Sequence, residues 1–146
     1  MIRKRIPQQD DRTIYTLTTE LLLPYARQTF PHLQLTPSVL RSRLEACSTY
    51  VVASAGRRPV AFITLRTVRE HLQVDMLAVH QREQGRGVGS RLMRFAERYA
   101  GARGCREIRL WVDEANNQAQ RFYMKHGYQI IHFDPNLKCY MMVKRL

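Results

Sequence analysis

Apolar positions along the chain recur first every second residue and then every third or fourth, and the two periods keep exchanging to the carboxyl end, which is the pattern of strands and helices in mixed order. Ile2 to Ile6 is a short extended run stopped by Pro7. Asp10 or Asp11 is placed to cap a helix carrying Ile14, Leu17, Leu21 and Leu22 at helical spacing, and Pro24 is expected to end or kink it. Tyr25 to Gln34 reads as a connection rich in aromatic residues and histidine. Thr36 then caps a second helix, with Pro37 at its first position and Val39, Leu40 and Leu44 on one side. Tyr50 to Ala55 and Pro59 to Val68 read as strands about the turn Gly56-Arg57-Arg58, and Arg69-Glu70-His71 turns the second into a third, Leu72 to Val79. Connections this short make the three strands antiparallel neighbours.

A polar turn, His80 to Glu83, leads into Gln84-Gly85-Arg86-Gly87-Val88-Gly89-Ser90 and then a helix to Ala102, with Leu92, Phe95, Ala96 and Tyr99 on one side and Gly104 as its stop. Glu107 to Val112 is again a strand. A helix between strands 72–79 and 107–112 makes them a right-handed, parallel βαβ unit whose diverging carboxyl ends open a cleft. Asn116 caps a last helix with Ala119, Phe122 and Tyr123 on one side and Gly127 at its end, before strands Tyr128 to Phe133 and Cys139 to Lys144. This is an α/β order, and with no repeat or linker in sight residues 1–146 are expected to form one domain.

Composition narrows what such a domain does. With 45% apolar residues the chain can bury a full core. No apolar run approaches membrane length and MIRKRIPQQDD lacks the apolar segment of a signal peptide, so a cytoplasmic protein without a membrane partner is expected. Cys47, Cys105 and Cys139 are widely spaced and are expected to be reduced; five histidines lack the clustered spacing of a metal site, and no metal is expected. The excess of 24 Lys and Arg over 12 Asp and Glu gives a charge of +12, which attracts polyanions and repels polyamines. Because the basic residues are scattered, a solvated surface is preferred to a nucleic-acid face.

The glycine-rich turn carries the chemistry. The first N–H groups of a helix lack intrahelical partners and sit at the positive end of its dipole, so this turn is suited to pyrophosphate. No lysine follows the glycines, which excludes a P-loop, and the spacing G-x-G-x-G departs from the dinucleotide pattern G-x-G-x-x-G. Gln84, Gly87 and Gly89 do fit [QR]-x-x-G-x-[GA], and a second motif lies 27 residues beyond Gly89, where Asn116, Ala119, Tyr123, Gly127 and Tyr128 fit N-x-x-A-x-x-x-Y-x-x-x-G-[FY]. Together the two motifs resemble the acetyl-coenzyme A site of the GNAT superfamily of N-acetyltransferases, strongly over Pro59 to Tyr128 and in element order throughout.

The resemblance implies a mostly antiparallel sheet of six to seven strands with about four helices, its central parallel pair splayed to receive acetyl-coenzyme A as co-substrate. It implies a bulge near Met76 to Ala78, with Leu77, Ala78 and Val79 along the pantetheine arm and a free N–H for the thioester carbonyl. Gln84, Gly85, Arg86, Gly87, Val88, Gly89 and Ser90 would hold the pyrophosphate, Asn116 the pantetheine or a water beside it, and Tyr123 would be general acid for the thiolate. The base is less marked. Gln73 and Trp111 stand where some relatives carry one, so Asp75 is the candidate, with Glu70, His71 and Glu114 behind it; positions 73, 75 and 77 are expected on one face. Tyr25, Phe30 and His32 are candidates for the acceptor pocket. The expected reaction is direct attack of a primary amine, small or peptidic, on acetyl-coenzyme A in a ternary complex. The alternative is a non-catalytic acetyl-coenzyme A sensor, and homodimers are common in the superfamily.

Overall fold

The computed structural model describes residues 1–146. Its sheet has seven strands: β1 (Ile2–Lys4), β2 (Ser48–Val52), β3 (Ala61–Val68), β4 (His71–Val79), β5 (Glu107–Asp113), β6 (Gln129–Asp134) and β7 (Cys139–Arg145). Their order is β1-β2-β3-β4-β5-β7-β6. Every pairing is antiparallel except β4 with β5, as the intervening helix α4 (Val88–Ala102) requires. The mixed α/β architecture expected of the sequence is the one observed, with five helices where about four were expected.

Two apolar layers flank the sheet. On one side Val88, Leu92, Met93, Ala96 and Ala100 of α4 pack on Ile63, Leu65, Leu72, Val74, Ile108 and Leu110, together with Tyr123 of α5 (Asn117–Lys125). On the other, Ile14 and Leu17 of α1 (Pro7–Leu21) and Leu40 and Leu44 of α3 (Pro37–Ala46) pack on Val51, Phe62, Met76 and Ala78. Burying roughly 1.5–3 kcal/mol per large aliphatic side chain, these two layers fix where the helices lie on the sheet.

Three local expectations are corrected. Asp10 and Asp11 lie inside α1, because Pro7 with its fixed φ begins the helix and Ile6 is its extended N-cap. Asp10 is instead fully buried: its carboxylate accepts two hydrogen bonds from Arg3 at 2.7 and 2.9 Å and one from the Ile6 N–H at 2.7 Å. Pro24 marks the expected break, α1 ending at Leu21, but it occupies the first turn of a further helix, α2 (Leu23–Thr29), where a missing N–H is harmless, so half of the expected connection Tyr25 to Gln34 is helical. Thr36 caps α3 as expected, accepting from the Val39 N–H at 3.1 Å, but Val39 itself is half exposed.

The expected bulge is present, and the third correction is the facing of the strand around it. Thr64 pairs with Met76 while Leu65 pairs with Val74, so the extra residue of β4 is Asp75, one position before the segment expected to bulge. Leu72 and Val74 face α4, Met76 and Ala78 face α1 and α3, and Leu77 and Val79 face α4 again. Positions 73, 75 and 77 therefore do not share a face, because an inserted residue reverses the alternation after it.

Candidate active site

Strands β4 and β5 pair only from His71–Glu107 to Val74–Leu110, and beyond that point they separate. His80 donates to the Val60 carbonyl at 2.8 Å, so Met76 and Ala78 turn their backbone toward β3, and by antiparallel alternation Leu77 and Val79 turn theirs into the gap. The Val79 carbonyl already accepts from Gln84 Nε2 at 2.9 Å, and Gln84 Oε1 accepts from Gln118 at 3.3 Å. Gln84 thus straps the glycine turn to β4 and to α5.

The turn leaves its amides free of backbone partners. The first internal bond of α4 runs from the Arg91 N–H to the Gly87 carbonyl, and no amide from Gly85 to Ser90 finds a backbone acceptor. Gly85 and Gly87 have φ of 77° and 79°, a left-handed conformation that costs other residues about 1–2 kcal/mol. Gly89 serves differently: a Cβ there would lie 3.1 Å from Cζ of Phe122, so its absence lets α5 approach α4. Gly89→Val is expected to push Phe122 and α5 off the turn and to weaken pyrophosphate binding there about 10-fold, roughly 1.4 kcal/mol of overpacking. Calorimetric titration checks it; unaltered affinity would refute the importance of this approach.

Two cavities open on the gap. The larger, about 530 Å³, runs along the glycine turn past Ser90 and His126; the smaller, about 340 Å³, lies under α2 and α3. Leu22, Leu77, Asn116, Ala119 and Tyr123 line both, so the two meet across the gap. Asn116 spends its Oδ1 on capping α5 through the Ala119 N–H at 3.1 Å, which leaves its amide nitrogen free. Tyr123 is 8% exposed, and burial alone holds its phenol well above the ordinary tyrosine value. His126 Nδ1 lies 2.8 Å from the Phe122 carbonyl and its Nε2 2.8 Å from Ser90 Oγ, so the ring anchors the Ser90 hydroxyl at the turn.

The smaller cavity holds two carboxylates. Asp75 is paired with Arg43 of α3 at 3.0 Å. Asp113, at the end of β5, has only the Cys139 thiol as a donor, at 3.4 Å, and burial raises it above the usual carboxylate range. The Cys139 thiol is pushed up to about 12, by burial first and then by Asp113, which keeps it from acting as a thiolate nucleophile.

Of the residues expected at the site, Tyr123, Asn116, Leu77, Ala78, Val79, Gln84, Gly85, Gly87, Val88, Gly89 and Ser90 line the larger cavity and Asp75 the smaller. Arg86 points to solvent, 3.7 Å from Glu83, and its side chain lines neither. Tyr25 lines the larger cavity, whereas Phe30 and His32 line neither and are exposed; α2 ends at Thr29, which carries them past the rim. Leu33, Gln34 and Leu35 line the smaller cavity in their place. Glu70 and His71 sit at the paired, opposite end of β4, and Glu114 stands outside both cavities. Asp113 and Arg43 were not legible as site residues, since nothing near them in sequence marks the cavity they share.

The model of the acetyltransferase (GNAT) family matches residues 15–128. An uncharacterized N-acetyltransferase of Methanocaldococcus jannaschii is 30% identical over 87 residues, which is 55% of this chain and 38% of that protein, so the chain spans well under half of that relative. Among solved structures, Ard1 from Thermoplasma volcanium superposes with a TM-score of 0.79 at 23% identity, covering 100% of this chain and 97% of that one. The PaiA N-acetyltransferase from Thermoplasma acidophilum, solved in complex with coenzyme A, gives 0.77 at 18% identity over 100% and 99%.

Proposed function

We propose, from the premise that this chain belongs to the acetyltransferase (GNAT) family, that it transfers the acetyl group of acetyl-coenzyme A to a primary amine by direct attack within a ternary complex. The observation that carries this reading is the pair of cavities meeting across the β4–β5 gap with Tyr123 on the wall of both.

The residues fit such a co-substrate. The six successive amides from Gly85 to Ser90 suit a pyrophosphate, and the backbone of Leu77 and the Val79 N–H suit an extended amide-bearing arm. When bound, acetyl-coenzyme A supplies a thioester whose C–S bond breaks as the new N–C bond forms, the electron pair leaving on sulfur. The Leu77 N–H is the donor available to stabilise charge on the carbonyl oxygen. The carboxylates of the smaller cavity, Asp75 and Asp113, are the groups able to take protons from the amine; of the two that nitrogen sheds, one ends on sulfur and one in solvent. Tyr123, kept protonated by burial, donates a hydrogen bond that strengthens as charge gathers on sulfur. No covalent acetyl-enzyme is invoked: Cys105 is buried under α4, and Cys139 is held as a thiol.

Isothermal titration with acetyl-coenzyme A is expected to show one site of micromolar affinity, and thiol release is expected to depend on added amine. Binding without release on any amine would favour a non-catalytic sensor; no binding would overturn the reading of the glycine turn.

A further inference from the structure

We infer that the acceptor is a primary amine whose only charge is its ammonium group and whose body is bulky and apolar, bound in the smaller cavity with the ammonium at Asp113; the inference rests on the acetyltransferase reading above.

Charge in that cavity is sparse and unbalanced. Only Arg43, Asp75 and Asp113 carry it, and Arg43 and Asp75 neutralise one another at 3.0 Å. Asp113 is left without a cation, its sole donor a thiol. Burial raises its proton affinity accordingly. The strand end that bears it is held in place: the Asp113 carbonyl accepts from the Asn116 N–H and from Gln120 Nε2, both at 2.9 Å. A carboxylate that is fixed, half-buried and uncompensated matches a ligand bringing one positive charge.

The remaining walls select the body of that ligand. Leu23, Ala26, Leu33, Leu35 and Val39 form one side and Trp111 the other. Trp111, two residues before Asp113 on the same face of β5, is 39% exposed, with the His132 ring edge-on at 6.3 Å. An apolar group placed there covers surface now in contact with water. An amine that also carries a carboxylate or phosphate would find no free cation, because Arg43 is engaged. The overall charge of +12 does not reverse this choice, since exposed arginines are screened over about 8 Å at physiological salt, whereas Asp113 acts at contact.

The test measures thiol release from acetyl-coenzyme A with 2-phenylethylamine, ethylamine, phenylalanine and butane-1,4-diamine. These differ by loss of the apolar body, gain of a carboxylate, and replacement of the ring by a second cation. The expected kcat/KM is highest for 2-phenylethylamine, by about 30-fold over ethylamine. Asp113→Asn keeps the side-chain size and removes a charge that burial disfavours, so it is expected to fold; it should raise the KM for 2-phenylethylamine about 10-fold without changing acetyl-coenzyme A affinity. Trp111→Ala should narrow the ratio of 2-phenylethylamine to ethylamine. Preference for phenylalanine or the diamine, or an unchanged KM in Asp113→Asn, overturns the inference. Should no amine release thiol, the acetyltransferase reading fails separately, and calorimetric titration of 2-phenylethylamine into the full chain still decides: binding lost in Asp113→Asn upholds the site, and no binding to wild type overturns it.

Discussion

Tyr123→Phe is expected to lower amine-dependent thiol release by about 10²-fold or more while leaving acetyl-coenzyme A affinity nearly unchanged. The hydroxyl is the only atom removed, and the ring still packs edge-on against Phe122 and Tyr128 at centroid distances of 5.2 and 5.8 Å, so α5 keeps its place. What disappears is a donor at the junction of the two cavities. A phenol is a weaker acid than a thiol, and burial weakens it further, so its contribution is a hydrogen bond to sulfur as charge develops rather than early proton release. The same shift sets the pH profile. A phenol whose proton affinity is raised stays protonated through its ordinary titration range, so deprotonation of Tyr123 should cause no alkaline loss of activity below about pH 10. Single-turnover rates against pH for both proteins check both statements; equal rates would remove Tyr123 from the chemistry.

Asp10→Ala is expected to destabilise the fold by about 2–3 kcal/mol, measured by urea unfolding, and to lower the melting temperature by roughly 4–12 °C. The substitution orphans the Ile6 N–H at the start of α1 and strips Arg3 of its two bonds to Asp10, though part of that guanidinium reaches water and can be resolvated. Burial alone would raise the Asp10 carboxyl, but the Arg3 hydrogen bonds, the Ile6 N–H and the nearby Arg3 and Arg5 charges outweigh it and hold it below the usual range. A carboxyl depressed in the folded state contributes its stability above its unfolded value, near pH 4, and loses it as pH falls through the folded value. Wild type should therefore lose stability on acidification below about pH 4 more steeply than Asp10→Asn. Matching acid limbs would contradict the assignment.

Features with a local cause were legible before the fold was known. The Thr36-Pro37 start of α3, the Asn116 cap of α5 and the turn Gln84 to Ser90 each follow from the chemistry of a few adjacent residues. The parallel pairing of β4 and β5 follows from the helix between them. The reversal of facing at Asp75 was not legible because Leu72, Val74, Met76 and Ala78 read as one unbroken alternation, and with apolar layers on both faces a change of phase leaves no mark in composition. The placement of β7 between β5 and β6 depends on pairings distant in sequence. Asp75 was marked by its strand position, but its engagement with Arg43, 32 residues away in sequence, was not. Asp113 escaped notice for a related reason: its importance lies in the lack of a neighbouring cation, which only three-dimensional proximity can reveal.

The separation of β4 from β5 also bears on solubility. Unpaired strand edges template association with other chains, and proteins ordinarily blunt them with charge, proline or a covering segment. Here the Leu77 backbone and the Val79 N–H, which no strand pairs, lie in the middle of the sheet beside a cavity lined by Pro24 and Tyr25 of α2 and Ala119 and Phe122 of α5, and not at its rim. A neighbouring polypeptide strand would have to enter past the side chains of those helices to reach it. The gap thus keeps adhesive backbone at the centre of the sheet, where helices shelter it from the chains that such backbone would meet at the periphery.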